Sequence, residues 1–170
     1  MKPSSNGKQK KDPPNVSGKR FAIVTARFYV ELTDWLIDGA KRALKDCGVA
    51  EGDIEFYEVP GCFELPLACR KIADNTSIDA VVALGVVIRG DTPHFDYVAG
   101  ECARGIMSVQ LAAGMPIGFG VLTVENLAQA EERADPKRMD KGYEAAIAAA
   151  ALLGIPKDEP RAGFRSGFRS

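Results

Sequence analysis

The sequence predicts an α/β fold, a three-layer α/β/α sandwich built on a four-stranded parallel sheet. Three observations carry that reading. Four apolar segments of strand length alternate with segments whose apolar residues recur at helical spacing, the pattern of a parallel sheet with helices on both faces. The segment DAVVALGVVI, residues 79–88, is an unbroken apolar run, as expected of a central strand covered on both sides. The chain has 170 residues, 46% of them hydrophobic, enough for one domain with a sizeable core.

The first strand is RFAIVTA, residues 20–26. After it, ELTDWLIDGAKRALKDCG places Leu36, Ile37, Ala40, Ala43 and Leu44 on one helical face and closes at Gly48. DIEFYEVPG is extended. FELPLACRKIAD is helical, because Pro66 falls in its first turn, where its missing N–H breaks no bond. DAVVALGVVI is the third strand. TPHFDYVAGECARGIMSVQLAAG reads as a long helix with Thr92 as N-cap, Pro93 in the first helical position and Gly114 as its end. PIGFGVLTV is the fourth strand, NLAQAEERA opens with an Asn126-x-x-Gln129 cap, and KGYEAAIAAAALLG is a final, alanine-rich helix.

Residues 1–19 are rich in Lys, Pro, Ser, Asn and Gly and have little to bury, so a flexible arm is expected there, with the folded domain over 20–154. Residues 155–170 read as a flexible basic tail in which GFRS occurs twice, at Gly163–Ser166 and Gly167–Ser170; a docking peptide for a partner is the alternative. The balance of 22 Lys+Arg against 23 Asp+Glu gives no reason to bind nucleic acid. No run approaches the roughly 18 apolar residues of a membrane span. The basic N-terminus has no apolar signal core, so a cytoplasmic location is expected. The four cysteines form no C-x-x-C pair, and with a single histidine they read as buried thiols rather than metal ligands.

Ligands in parallel α/β sheets bind beyond the carboxyl ends of the strands. With strand ends at Ala26, Val59, Ile88 and Val121, that rule selects Arg27-Phe28, Pro60 to Glu64, Arg89 to His94, and Leu122-Thr123. No G-x-G-x-x-G follows the first strand, so a dinucleotide fingerprint is absent. Gly85 to Gly90 has the glycine spacing of a P-loop. However, Val86, Val87 and Ile88 favour a strand, and Asp91-Thr92 stands where Lys-Ser/Thr is required. The helix start at Thr92 still aims backbone N–H groups outward and can hold an anion. His94 would stand in the first turn of that helix, where a neutral imidazole can accept a proton.

Each of these residues has a plainer reading. His94 taken alone could be structural, Glu64 a solvated acid at a helix start, and Phe28 and Phe63 core aromatics. Arg133, Lys137, Arg138 and Lys141 form a cationic cluster between the last two helices. It is either a solvated turn, offset by Asp135 and Asp140, or the source of charge for an anion at Thr92. Because this loop does not follow a strand, a neighbouring subunit would be the supplier.

The segments ARF, VPGCFELPLA, DAVVALGVVIRGDTPHFDYVAGECARGI, PIGFGVLTVENLAQAEERA and DKGYEAA, in that order between about Arg20 and Leu153, resemble the 6,7-dimethyl-8-ribityllumazine synthases of riboflavin biosynthesis. The resemblance implies flavodoxin-like layering. It also implies a transferase that condenses 5-amino-6-(D-ribitylamino)uracil with 3,4-dihydroxy-2-butanone 4-phosphate, releases phosphate and water, and needs neither metal nor redox cofactor. By the same resemblance, Phe28 would stack on the pyrimidine. Cys62, Phe63 and Glu64 would line the ribityl pocket, and the backbone of Val86, Val87 and Ile88 would bind the uracil edge. His94 would transfer protons. The helix start at Asp91-Thr92 would bind phosphate together with Arg133.

Phe119, Arg133 and Lys141 would come from the adjacent subunit of a homo-oligomer, a pentamer or a sixty-subunit shell, with riboflavin synthase as a candidate partner. The chain departs from the common pattern twice. Tyr29 stands where many relatives have Asn, and DPKRMDKG, Asp135 to Gly142, replaces a glycine-rich GTKAGNKG loop. A non-catalytic lumazine- or flavin-binding carrier is the rival reading, but a carrier has no need of a proton-transfer histidine.

Overall fold

The computed structural model describes residues 12–74 and 77–156. Its elements are β1 (Phe21–Ala26), α1 (Val30–Asp46), β2 (Ile54–Val59), α2 (Leu65–Ala73), β3 (Ala80–Ile88), α3 (His94–Ala113), β4 (Ile117–Val124), α4 (Leu127–Ala134) and α5 (Lys141–Leu153), with short 3-10 turns at Glu51–Asp53 and Cys62–Glu64. The four strands are all parallel, in the order β2-β1-β3-β4. This is the expected three-layer α/β/α sandwich.

The alternation of side chains along the strands divides the core in two. Phe21 and Ile23 of β1, with Val82, Leu84 and Val86 of β3, pack against α1, α4 and α5. Ala22, Val24 and Ala26, with Val81, Ala83 and Val87, pack against α2 and α3. Every residue of β1 is buried, as is every residue of β3 except the half-buried Ile88, whereas the edge strand β2 is half-buried or exposed throughout. The unbroken apolar run thus marks the centre of the sheet because both its faces are covered. Each fully buried Leu or Ile contributes about 1.5–3 kcal/mol, so the interior strands fix the sheet. Helices α1 and α5 meet backbone to backbone: a Cβ on Gly142 would lie 2.1 Å from Leu36 O.

Element ends follow local chemistry. Gly114 closes α3 at φ 60, the left-handed conformation that glycine adopts without a steric penalty. Asn126 Oδ1 accepts from Gln129 N at 3.0 Å and caps α4. The reciprocal half of the box is displaced by one residue, since Gln129 Oε1 accepts from Glu125 N rather than from the cap itself.

Two expectations need correction. Helix α3 begins one residue later than its Thr-Pro signal suggests: Pro93 is the cap residue, and Thr92 Oγ1 accepts only a long 3.5 Å bond from His94 N. Strand β4 runs to Val124, the last residue of PIGFGVLTV, so the strand end placed at Val121 falls too early: Leu122 and Thr123 lie within the strand, paired with Val86 and Val87, and not in a loop beyond it. Of the arm expected over residues 1–19, residues 12–19 are described. Val16 is buried there, and its N–H donates to Cys47 O at 2.9 Å. Residues 1–11 and the GFRS repeat lie outside the described residues. Among the described residues no helix is long and apolar enough to cross a membrane.

Candidate active site

The strand order creates one natural opening. From β1 the chain passes to α1 on one face and β2 on one side; from β3 it passes to α3 on the other face and β4 on the other side. The connections after β1 and β3 therefore diverge, leaving a crevice at the carboxyl ends of these adjacent strands, where doubly wound sheets bind ligands. A cleft of about 560 Å³ lies there, within the size range of small-molecule sites.

Nine of the thirteen site residues expected from the sequence line this cleft: Phe28, Cys62, Phe63, Glu64, Val86, Val87, Ile88, Thr92 and His94. Phe28 and Phe63 are 74% and 58% exposed, so the reading of these rings as core aromatics is wrong. Large rings left in solvent beside a cavity offer apolar faces on which a flat ligand can stack. Phe28 meets Tyr29 edge to face at 5.0 Å. Glu64 is exposed at the end of the Cys62–Glu64 turn, immediately before α2.

Val86, Val87 and Ile88 contribute main chain. Pairing of β3 with β1 stops at Thr25↔Leu84, while pairing with β4 continues to Ile88↔Val124. The last residues of β3 thus have a strand neighbour on one side only, and their other edge turns toward the cleft. A flat heterocycle with amide-like edges suits such a half-paired strand.

All four cysteines are free and buried, as the sequence suggested. Cys62 forms part of the cleft floor, its thiol 3.8 Å from Val86 O. Burial pushes this thiol up to about 11, opposed by the contact with Val86 O and aided by the charge of Glu64. It is therefore a neutral wall at pH 7 and not a nucleophile. His94 opens α3, and its ring has no hydrogen-bond partner among the described residues.

Four expected residues do not line the cleft. Asp91 is exposed in the loop beside it. Phe119 is 44% exposed in the middle of the edge strand β4. Arg133, in the last turn of α4, donates to Gln129 O at 3.2 Å, and Lys141, the first residue of α5, pairs with Glu144. Helices α4 and α5 cover the face of the sheet opposite α2 and α3, so a single chain does not bring these cations to the cleft. The cleft lining contains Glu64 and His94 but no lysine or arginine.

Tyr29, Phe95, Tyr97 and Val98 also line the cleft, and neither the strand-end rule nor the family motifs point to them. Tyr97 and Val98 stand three and four residues after His94, on the same helical face, and that spacing could have found them. Tyr29 was visible only as a departure from relatives.

Residues 18–157 match the family described as 6,7-dimethyl-8-ribityllumazine synthase. The chain belongs to that family. It is 49% identical over 136 residues to the 6,7-dimethyl-8-ribityllumazine synthase of Halorhodospira halophila, a match that covers 80% of this chain and 87% of that protein. The lumazine synthase match spans all five helices and all four strands, so the cleft lies wholly within the matched region.

Proposed function

We propose that this protein condenses 5-amino-6-(D-ribitylamino)uracil with 3,4-dihydroxy-2-butanone 4-phosphate to 6,7-dimethyl-8-ribityllumazine, releasing phosphate and water, in riboflavin biosynthesis. The observation that carries the reading is the switch-point cleft of a lumazine synthase family chain, in which exposed Phe28 and Phe63, Glu64, the half-paired end of β3, Thr92 and His94 come together.

The pyrimidine lies on Phe28, with its uracil edge against the backbone of Val86 to Ile88 and its ribityl chain along Cys62, Phe63 and Glu64, whose carboxylate accepts from hydroxyls. The phosphate sits at the start of α3, beside Asp91 and Thr92, where backbone N–H groups point outward. The pyrimidine amine attacks the ketone, and loss of water gives an imine. Proton transfer and loss of phosphate give an enol, and the ribitylamino nitrogen closes the ring with a second dehydration. Each step moves a proton, the role of His94, and holding both substrates together supplies much of the acceleration.

A phosphate dianion in a cleft lined by a carboxylate and no cation is poorly compensated. Arg133 and Lys141, presented on the opposite face, meet this need if a second copy brings them to the first copy's cleft, together with the exposed Phe119. The working form is then a cytoplasmic homo-oligomer, a pentamer or a shell of pentamers, with riboflavin synthase as a candidate partner. Arginine suits the task because its fork matches phosphate geometry.

The test is lumazine formation followed by absorbance and corrected for the uncatalysed reaction. His94→Ala should lower turnover roughly 10- to 1000-fold without abolishing it. Arg133→Ala should do more harm, chiefly by raising KM for the butanone phosphate. No acceleration by the wild type, with product still bound tightly, would replace the synthase reading with a carrier.

A further inference from the structure

The first residue after β1 and the first residue after β3 are both arginines, Arg27 and Arg89, and they make the same set of contacts. Arg27 N–H donates to Val59 O, the last carbonyl of β2, and Arg89 N–H donates to Val124 O, the last carbonyl of β4, both at 2.9 Å. The Arg27 guanidinium pairs with Glu58 of β2 at 3.3 Å and with Asp34 in the first turns of α1 at 2.7 Å. The Arg89 guanidinium pairs with Glu125, just past β4, at 2.9 Å and with Asp96 in the first turn of α3 at 3.1 Å. Each arginine thus ties the outer neighbour of its own strand to the helix that leaves that strand, spanning the loop between them.

Each clamp also reaches the cleft lining, Arg27 through one intervening side chain and Arg89 directly. Arg27 Nη1 donates to Thr33 Oγ1 at 3.0 Å, and this fully buried hydroxyl donates to Tyr29 O at 2.9 Å. Arg89 lies over the Phe95 ring at 4.2 Å. Tyr29 and Phe95 line the cleft, whereas neither arginine does. The four carboxylate partners are all more than half exposed, so the pairs add little stability. What a planar fork held by two carboxylates on two elements does supply is orientation.

We propose that Arg27 and Arg89 are matched positioning residues, one for each wall of the cleft. Arg27 sets the Phe28–Tyr29 wall that takes the pyrimidine; Arg89 sets the Gly90–His94 wall that takes the phosphate. The assignment of walls to substrates rests on the proposed synthase function.

The test is a double dissociation on the full chain. Binding of the ribitylamino-uracil alone is measured by calorimetry. Binding of inorganic phosphate alone is followed through the C2 proton of His94, which gives a single NMR line because the chain has one histidine. Arg27→Met should weaken the pyrimidine roughly 10-fold and leave phosphate within about 2-fold, and Arg89→Met should do the reverse, a scale that small misplacements of binding groups produce. Asp34→Asn and Asp96→Asn remove the helix-side leg of each clamp at an exposed carboxylate. They should repeat the split in weaker form, and they decide the matter if either arginine variant does not fold.

Equal weakening of both ligands by each variant, or no weakening, overturns the clamps. Wild-type turnover separates this result from the enzyme reading: turnover without a split removes the clamps and keeps the synthase, and a split without turnover keeps the clamps and removes the synthase. Failure of the wild type to bind either probe removes both.

Discussion

Gly85 lies on the face of β3 that forms the cleft floor, and the structure leaves it no room for a methyl group. A Cβ there would lie 2.6 Å from Cys62 Sγ, 3.2 Å from Ala26 Cβ and 3.5 Å from Leu65 Cδ1. Ordinary contact is about 3.5–4.0 Å, so Gly85→Ala requires the sulfur to recede by about 1 Å. Cys62 is only 5% exposed, and a well-packed core resists such a shift at about 1–3 kcal/mol. Cys62→Ala removes the obstructing atom, at a cost of about 1 kcal/mol for the lost contacts and the small cavity.

In that background Gly85→Ala should cost at most about 0.5 kcal/mol, because Ala26 Cβ is then the nearest neighbour and the gap is only a few tenths of an ångström short of ordinary contact. The coupling between the two sites should be about 1–2 kcal/mol in the rescuing direction. Urea melts of the four proteins measure it, read as midpoints at unchanged m. Calorimetry with the ribitylamino-uracil should show weaker binding in Gly85→Ala, restored in the double variant. Additive costs, with coupling within about 0.3 kcal/mol of zero, would refute the steric reading and show that the floor yields freely.

Alkaline stability and one helix cap give two further outcomes. Desolvation pushes Cys62 to about 11 and Cys69 and Cys102 to about 12, from an ordinary value of 9.0. The thiolate is therefore favoured by unfolding. Stability should be flat with respect to these groups below pH 9 and should fall as pH rises from 9 toward 12, by up to about 1.4 kcal/mol per unit per thiol. Urea melts from pH 8 to 10.5 should show a shallower fall in Cys69→Ala, and parallel curves would refute the assignment. Asn126→Ala removes the bond to Gln129 N and should cost about 1 kcal/mol; an unchanged urea midpoint would mean that water replaces the cap.

The number, order and type of the strands and long helices were legible in the sequence because each carries a local signal. The central strands are continuous apolar runs, and Gly48, Gly114 and the Asn126 cap punctuate the helices. The start of α3 and the point where β4 gives way to its loop are less legible: Pro93 suits both the cap and the first helical position, and pairing with β3 is what carries β4 past Val121 to Val124. The loops that build the cleft were legible from one topological rule, since strand carboxyl ends are where helix starts and turns converge.

By itself the sequence determined the layered fold, the segments at its ligand-binding end and the family to which the chain belongs, since all of these follow from residues near one another along the chain. Tertiary structure alone decided which side chains face the opening. It left Phe28 and Phe63 in solvent rather than in the core, added Tyr29, Phe95, Tyr97 and Val98 to the lining, and buried Cys62 as a neutral wall. It also put Arg133 and Lys141 on the far face of the sheet, and joined Arg27 to Glu58 and Arg89 to Glu125 across strands distant in sequence. Such placements depend on how strands register and which face each helix covers, long-range choices that no local window of residues encodes.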